Sequence, residues 1–261
     1  MLETWGLDIM IFLSDLDRTM IFSYKRLSPD ENLCVEIYND RQVSFMTHRS
    51  AALFTEMISK VHFIPITTRS REQYERIVFP EGYIPEYAVI DNGANLLKNG
   101  IIDEEWHNDF REIISDAVEE LMRCRVFLES LDDVYYKPKM VDDSFIFAKC
   151  YNPYETLSKM SDVVKNTKTE FFRNGEKIYA IPNGISKKSA LDKLRVRFPT
   201  EDFIAAGDSL FDYEMLCCAD ISIVKYGELS GHVMNEMQIS ETENDDPDFL
   251  LNQLKKIIQN R

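Results

Sequence analysis

The stretch "IFLSDLDRTM", residues Ile11–Met20, runs from apolar residues directly into two carboxylates, Asp15 and Asp17. A short continuous apolar run is typical of a strand that is buried on both faces. Two like charges repel each other, so we expect the strand to end where cations or water can reach them. The stretch therefore predicts a buried strand whose carboxyl end opens into a polar pocket.

Similar apolar runs recur on both sides of the chain centre. "HFIPI" and "EYAVI" follow the first strand, and "FIAA" and "ISIV" lie near the C-terminus, with helix-period patterns between these runs. Buried strands that alternate with helices indicate βαβ units. We therefore predict an α/β fold with a Rossmann-like parallel-sheet core. The segment from Ser28 to Met46 is long for a loop, and it predicts a β-hairpin flap with its turn at Asn39-Asp40.

The middle of the chain has a different order of elements. A long helix is followed by strand-like runs around "VYYKP" and "SFIFAKC", a second helix, and a hairpin around Asn174-Gly175. This α-β-β-α-β-β order suits an antiparallel sheet backed by two helices. We expect an α/β core made of residues 1–103 and 182–261, with an α+β module of residues 104–181 inserted into it. The two chain crossings would form a hinge.

Bulk properties exclude several classes of protein. The net charge of −15 over 261 residues argues against a nucleic-acid partner, although it leaves a small anionic substrate open. Five scattered Cys without a CxxC pair predict neither a disulfide framework nor a zinc site, and they favour a reducing, cytoplasmic location. An N-terminus with Glu3, Asp8 and only a five-residue apolar run predicts no signal peptide and no membrane span. We expect a monomer or a small homo-oligomer.

Four groups of polar residues occur where predicted strands end or a helix begins. In parallel α/β sheets, ligands bind beyond the carboxyl ends of the strands. The groups together supply carboxylates, a hydroxyl and a cation. They are Asp15 with Asp17, Thr67, Lys187, and Asp208 with Asp212.

This combination suits phosphoryl transfer through a covalent intermediate. The Asp15 carboxylate can attack phosphorus and form an acyl phosphate. Mg²⁺ held by Asp15 and Asp208 would screen the repulsion between anions, and Lys187 would add a second positive charge. Thr67 and backbone N–H groups would hold the phosphoryl oxygens. Asp17 could protonate the leaving oxygen and later deprotonate water.

Four ordered motifs resemble those of the haloacid dehalogenase-like phosphatases. The inserted module lies between the second and third motifs, and its order is similar to the larger α/β (type IIB) cap. That cap is typical of the subgroup with sugar-phosphate, sucrose-phosphate and mannosylglycerate-phosphate phosphatases. "VIDNGA" (Val89–Ala94) also resembles a segment common there. The motifs are "DLDRT" (Asp15–Thr19), "IPITTRS" (Ile64–Ser70), "ISKKSAL" (Ile185–Leu191) and "GDSLFDYEML" (Gly207–Leu216).

The resemblance implies a role for each matching residue. Asp15 corresponds to the nucleophile and Asp17 to the general acid/base, whose backbone carbonyl also binds the metal. Asp208 corresponds to a Mg²⁺ ligand and Asp212 to a supporting acidic residue near the metal. The implied phosphate-binding residues are Thr67, Thr68 and Lys187, and the last of these also counts as catalytic.

Three positions depart from the family pattern. Arg18 stands where many relatives have Gly, Phe211 where the subgroup often has Asn, and Lys188 where Gly is common. We expect Arg18 and Phe211 to narrow or re-aim the pocket. For Arg18 the specific expectation is a side chain that points away from the phosphate, with only its backbone N–H near the site.

The inserted module offers candidates for substrate contact. Its basic residues either reach the active site or are solvated surface charges, and its aromatic residues are expected to form the core of its sheet. The candidate contacts are Lys137, Lys139, Arg173 and Lys177, and the aromatic residues are Tyr135, Tyr136, Phe145, Phe147, Phe171 and Phe172.

Three functions remain open at this point. The first is a Mg²⁺-dependent phosphomonoesterase acting on a small phosphorylated metabolite, in first place a sugar phosphate, with a cap that closes over it. The second is a phosphomutase of the same fold. The third is a catalytically silent protein that binds a phosphometabolite or a partner, because Arg18 and Phe211 alter the pocket. Each motif taken alone also fits a turn or a helix cap.

Overall fold

The computed structural model describes residues 10–164, 167–224, 229, 238–240 and 246–260. The helices are α1 (His48–Met57), α2 (Arg71–Glu75), α3 (Glu104–Glu129), α4 (Pro153–Val163), α5 (Lys187–Arg197), α6 (Leu210–Cys218) and α7 (Phe249–Gln259). The strands are β1 (Met10–Ser14), β2 (Phe22–Ser23), β3 (Leu33–Tyr38), β4 (Arg41–Met46), β5 (Val61–Pro65), β6 (Tyr87–Ile90), β7 (Asn95–Lys98), β8 (Ile101–Ile102), β9 (Val134–Val141), β10 (Phe145–Cys150), β11 (Thr169–Asn174), β12 (Lys177–Pro182), β13 (Phe203–Gly207), β14 (Ile221–Val224) and β15 (Gln238–Ser240).

The core is a parallel sheet in the order β15-β14-β13-β1-β5. Every residue of β1 is buried, because side chains alternate between two covered faces. Ile11 and Leu13 pack with residues of α5 and α6, and Met10 and Phe12 pack with residues of α1 and α7. This architecture confirms the predicted α/β fold with a Rossmann-like core.

A second sheet follows β8 and is antiparallel, in the order β11-β12-β10-β9. The elements of this region run α3, β9, β10, α4, β11, β12, which is the predicted α-β-β-α-β-β order. One face of the sheet packs on α3 and α4, with Ile146 and Met160 in the same cluster. The other face shares a cluster with the core domain. We call this region the cap; its predicted boundaries, 104–181, stay a proposal.

A small antiparallel sheet, β2-β4-β3, follows the end of β1. Its β3–β4 hairpin turns at Asn39 and Asp40, which have φ values of 48° and 58°. Both residues tolerate this left-handed region, because their short side chains bond locally. The predicted flap is therefore confirmed.

The hairpin β11–β12 differs from the prediction by one residue. Asn174 pairs with Lys177, so the two-residue turn is Gly175-Glu176 rather than Asn174-Gly175. Gly175 has φ 58°, and glycine adopts that angle without strain.

Among the described residues, none of the helices has the length and apolarity that crossing a membrane would require. The prediction of no signal peptide rests in part on Glu3, Asp8 and Ile9, which lie outside the described ranges.

Candidate active site

The carboxyl ends of β1 and β13 bring two predicted site residues together. The strands are neighbours in the sheet, and the N–H of Asp15 donates to the carbonyl of Ala206 at 3.0 Å. Asp15 and Asp208 therefore leave the sheet side by side. Carboxylate oxygens of Asp15, Asp208 and Asp212 all lie within 4.8 Å of one another, and all three residues are buried.

Helix α5 places Lys187 among these carboxylates. Ser186 caps the helix by accepting from the N–H of Ser189, so Lys187 is the first helical residue. Its Nζ donates to Asp15 Oδ1 at 2.5 Å and to Asp212 Oδ1 at 2.6 Å. Burial lowers the pKa of Lys187, but the two carboxylates outweigh this and raise it. Lys187 is therefore a permanent buried cation.

The position of α5 depends on Gly93, in the predicted "VIDNGA" segment. A Cβ at Gly93 would overlap the carbonyl of Ser186, and Gly93 has φ 110°. Only glycine allows both the angle and the close approach. Gly93 thus sets how near the start of α5, and with it Lys187, lies to the sheet.

The Asp212 carboxylate is hydrogen-bonded to neighbouring groups of the protein through both of its oxygens. Its Oδ2 accepts from the N–H groups of Asp208 (3.2 Å) and Ser209 (3.0 Å) and from the Ser209 hydroxyl (2.8 Å), while Oδ1 accepts from Lys187. Both carboxylate oxygens are therefore used. This geometry supports the expected auxiliary role, in which Asp212 holds Lys187 and the loop that carries Asp208.

Thr19 also belongs to the carboxylate cluster. Its hydroxyl lies 3.1 Å from Asp15 Oδ2 and 3.3 Å from Asp208 Oδ1, and the residue is buried. No role was predicted for Thr19, although it closes the first motif. Its hydroxyl is shared between the two carboxylates.

The surroundings change the pKa of both strand-end carboxyls. Burial is the largest cause that raises the pKa of Asp15, to about 8, and nearby carboxylates add to it while Lys187 opposes it. Burial and the charge of Asp212 raise the pKa of Asp208 to about 7. Three carboxylates thus face one buried lysine. Hard oxygen donors with excess negative charge fit a divalent cation such as Mg²⁺.

Asp17 points away from this cluster and toward Arg69. Arg69 Nε and Nη2 donate to the two Asp17 oxygens at 2.7 and 2.8 Å. Burial raises the pKa of Asp17, but the hydrogen bonds and charge of Arg69 outweigh it and lower the pKa. Arg69 Nη2 also donates to Glu36 of the flap at 2.9 Å, and Arg76 Nε donates to the same carboxylate at 3.1 Å. Sequence reasoning missed this network, although Arg69 lies within the second motif.

Arg18 contradicts the expectation from sequence. Its Nε lies 3.2 Å from Asp208 Oδ2, so the side chain turns toward the site. Its backbone N–H donates to the carbonyl of Ile21 at 2.8 Å and is not free for a phosphate. Both halves of the prediction are therefore wrong. The φ of Arg18 is 66°, an angle that glycine would adopt without strain.

The two threonines of the second motif differ in exposure. Thr67 is fully buried, and its hydroxyl oxygen accepts from the N–H of Arg69 at 3.2 Å. Thr68 lines the cavities described next.

Two adjoining cavities lie between the core, the flap and the cap. The smaller, about 190 Å³, contains the Asp15–Lys187–Asp208 cluster. The larger, about 360 Å³, contains the Arg69–Glu36 network. The cavities adjoin each other, since they share the lining residues Asp17, Arg18, Thr68, Lys177 and Tyr179.

One of the four basic cap candidates lines these cavities. Lys177 lines both; burial lowers its pKa, while Asp17 opposes that shift. Lys137 donates instead to the carbonyl of Glu129 at 3.4 Å. Lys139 lies 5.1 Å from the Tyr136 ring centroid, and Arg173 lies 4.1 Å from that of Tyr154.

Asn174 was missed, and it lines the smaller cavity opposite Lys177. The aromatic prediction holds in part: Phe171 and Phe172 pack against the hydrophobic clusters but Tyr135 is exposed. The buried Phe145 and its neighbour Phe147 also line the larger cavity. They lie on the cap face that is turned toward the core domain.

Phe211 joins the cap to the core. It belongs to α6, and its ring centroid lies 5.2 Å from that of Phe172 and 4.9 Å from that of Tyr179, both on the cap. The ring also lines the smaller cavity. The departure from the family pattern at this position therefore forms an apolar contact between the two parts of the chain.

Comparison with known proteins identifies a family match over part of the chain and a shared fold. Residues 143–224 match the family model described as haloacid dehalogenase-like hydrolase. No curated protein sequence matches the chain significantly. The matched residues include the third and fourth motifs, and the solved structures of similar fold show that the chain has a haloacid dehalogenase-like fold with a cap.

Several solved structures share this fold over nearly the whole chain. The sucrose-phosphatase of Synechocystis has a TM-score of 0.64 and 12% identity, covering 96% of this chain and 98% of that one. A haloacid dehalogenase-like hydrolase from B. subtilis has a TM-score of 0.60 and 13% identity, covering 95% and 99%. The trehalose-6-phosphate phosphatase of Aspergillus fumigatus has a TM-score of 0.54 and 11% identity, covering 97% and 93%.

Proposed function

We propose that this protein is a Mg²⁺-dependent phosphatase that hydrolyses a phosphomonoester of a small metabolite, in first place a sugar phosphate, through an aspartyl-phosphate on Asp15. The observation that carries the proposal is the buried Asp15–Lys187–Asp208 cluster beyond adjacent parallel strands. Phosphatases among the structures of similar fold support the proposal.

The first half of the reaction uses Asp15 as the nucleophile. Lys187 favours its ionised form and fixes Oδ1, so the attack on phosphorus is assigned to Oδ2, which also accepts from the Thr19 hydroxyl. Asp15 and Asp208 would hold Mg²⁺, and when bound it supplies positive charge that offsets the charge of the phosphoryl group. The P–O bond to the metabolite breaks as the Asp15–phosphorus bond forms, and the leaving oxygen takes a proton from Asp17.

The second half returns the enzyme to its starting state. Water attacks phosphorus, Asp17 takes the proton from that water, and the Asp15–phosphorus bond breaks to release inorganic phosphate. In the observed geometry Arg69 favours ionised Asp17, which suits this second half. Proton donation in the first half requires the contact with Arg69 to weaken.

The larger cavity suits a polar, hydroxylated leaving group. Phe147 offers apolar ring surface for the C–H groups of a sugar, and Gln73, Arg76 and Lys177 offer hydrogen-bond donors. A volume of about 360 Å³ accommodates a small metabolite.

Asp15→Asn tests the proposal with purified protein, MgCl₂ and a panel of sugar phosphates, nucleotides and phosphoglycerates. We expect phosphate release by the unaltered protein and a loss of about 10³-fold or more in kcat for the variant, because the amide cannot form the intermediate. Asp192→Asn is the matched control, since Asp192 pairs with Lys188 on the exposed side of α5.

Three other outcomes would overturn parts of the proposal. Undiminished turnover by Asp15→Asn would contradict the mechanism. An isomeric phospho-sugar in place of inorganic phosphate would identify a phosphomutase. Tight binding without turnover over the whole panel would identify a catalytically silent binding protein.

A further inference from the structure

Asp208 has Arg18 as its charged partner, whereas the other two carboxylates of the cluster contact Lys187. Lys187 contacts Asp15 and Asp212, and the contacts of Asp208 are the Thr19 hydroxyl and the Arg18 guanidinium. The Asp208 side chain is only 5% exposed, whereas that of Arg18 is 60% exposed. Arg18 thus reaches from the solvent side onto a nearly buried carboxylate.

The backbone at Arg18 makes this contact noteworthy. A φ of 66° is unfavourable for residues with a Cβ. The hydrogen bond from the backbone N–H of Arg18 to the carbonyl of Ile21 fixes the turn there. The chain therefore carries a strained arginine where glycine would fit without strain. A glycine at this position could not place a guanidinium beside Asp208.

The contact is also one that can exchange. It is a single Nε–Oδ2 approach at 3.2 Å, unlike the two-pronged pair between Arg69 and Asp17 at 2.7 and 2.8 Å. A long, mostly exposed side chain can leave the carboxylate without opening the protein. Arg18 lines both cavities, so space lies beside its side chain.

We propose that Arg18 competes with the divalent cation for Asp208: its guanidinium holds the carboxylate in the metal-free protein and must leave when the cation binds. This inference rests on the metal site of the proposed function. A binding site that is free only part of the time shows a lower apparent affinity, in proportion to its free fraction. Arg18 therefore sets the Mg²⁺ concentration at which the site fills.

The test compares Mg²⁺ affinity by isothermal titration calorimetry with MgCl₂, and by the rise in melting temperature with MgCl₂, in the absence of substrate. The proteins are the unaltered chain, Arg18→Gly, Arg18→Gln and the control Arg41→Gln. Arg41 is exposed on the flap, so Arg41→Gln removes the same charge at a position away from Asp208. Arg18→Gly relieves the strained φ and is expected to fold.

We expect both Arg18 variants to bind Mg²⁺ about tenfold more tightly, as for a contact occupied about nine-tenths of the time, and the control to match the unaltered chain. Equal affinity in all four proteins, or weaker binding in the Arg18 variants, would overturn the inference while leaving the metal site intact. Absence of Mg²⁺ binding in all four would instead overturn the proposed metal site and the inference together.

Discussion

Replacing Lys187 by Met should destabilise the metal-free protein severely, and more so as the pH rises. The change keeps the length of the side chain but removes the cation that contacts Asp15 and Asp212. Breaking a buried ion pair by removing one partner costs about 3–5 kcal/mol, because the other charge stays buried without compensation. The whole unfolding free energy of a domain is only about 5–15 kcal/mol.

The pH dependence follows from the carboxyls. Lys187 has a pKa raised above its unfolded value, so its contribution is fully present below about pH 10 and does not vary between pH 5.5 and 9. The pKa of Asp15 is raised to about 8 in the folded protein, so folding favours its protonated form and stability falls as the pH rises toward 8. Without Lys187 this pKa rises further and the fall becomes larger.

The assay is urea unfolding followed by circular dichroism in EDTA, at pH 5.5 and pH 9. With a denaturant slope of about 3 kcal/mol per M, a loss of 3–5 kcal/mol lowers the midpoint by about 1–1.7 M at pH 9, with a smaller shift at pH 5.5. Lys188→Met is the matched control, since Lys188 pairs with Asp192 at the exposed surface and the loss of this pair should cost under about 1 kcal/mol. Equal midpoints for the two variants, or a larger shift at pH 5.5, would refute the reasoning.

Other changes test the remaining geometry. Gly93→Ala should lower the unfolding free energy by about 2–4 kcal/mol in urea, because it adds a steric overlap to a strained φ, whereas Gly100→Ala, with φ 76° but open space, should cost about 1 kcal/mol. Arg69→Lys removes the two-pronged contact with Asp17, so the pKa of Asp17 should rise. The acidic limb of the pH profile of kcat should then move to higher pH. Lys177→Met should raise KM about tenfold and Arg173→Met should leave it unchanged; equal effects would contradict the assignment of the cap faces.

The sequence predicts most of the core because two simple patterns coincide there. Continuous apolar runs mark the strands of a parallel sheet, and polar residues follow them at one edge. Asp15 and Asp208 lie together for that reason, although 193 positions separate them along the chain. Lys187 follows because a helix start with a capping serine is a local signal.

The cap contacts are less predictable from the sequence, although the alternation of side chains along each strand limits which of them can face the site. Arg173 and Lys177 lie on opposite faces of the hairpin for either placement of its two-residue turn, because side chains alternate along each strand. Both could not face the site. Asn174 shares the face of Lys177, and a short amide in a turn gives no signal of its own.

Contacts across the chain were beyond local patterns. Arg69 meets Glu36 because the flap folds over the second motif, and no spacing rule predicts that meeting. The direction of the Arg18 side chain depends on the left-handed backbone at that residue. In the sequence, the signal for this backbone is an arginine at a position where the family pattern has glycine.

The ring contacts of Phe211 with Phe172 and Tyr179 make the free energy of opening the cap depend on temperature. Separating cap and core would expose Phe211, Phe172 and Tyr179 to water, so opening carries a positive heat-capacity change. Sulfate strengthens such apolar contacts and urea weakens them. Where release of product requires the cap to open, turnover should therefore be slower in sulfate and faster in dilute urea. The contacts of Phe211 then make the rate of cap opening depend on the composition of the solvent.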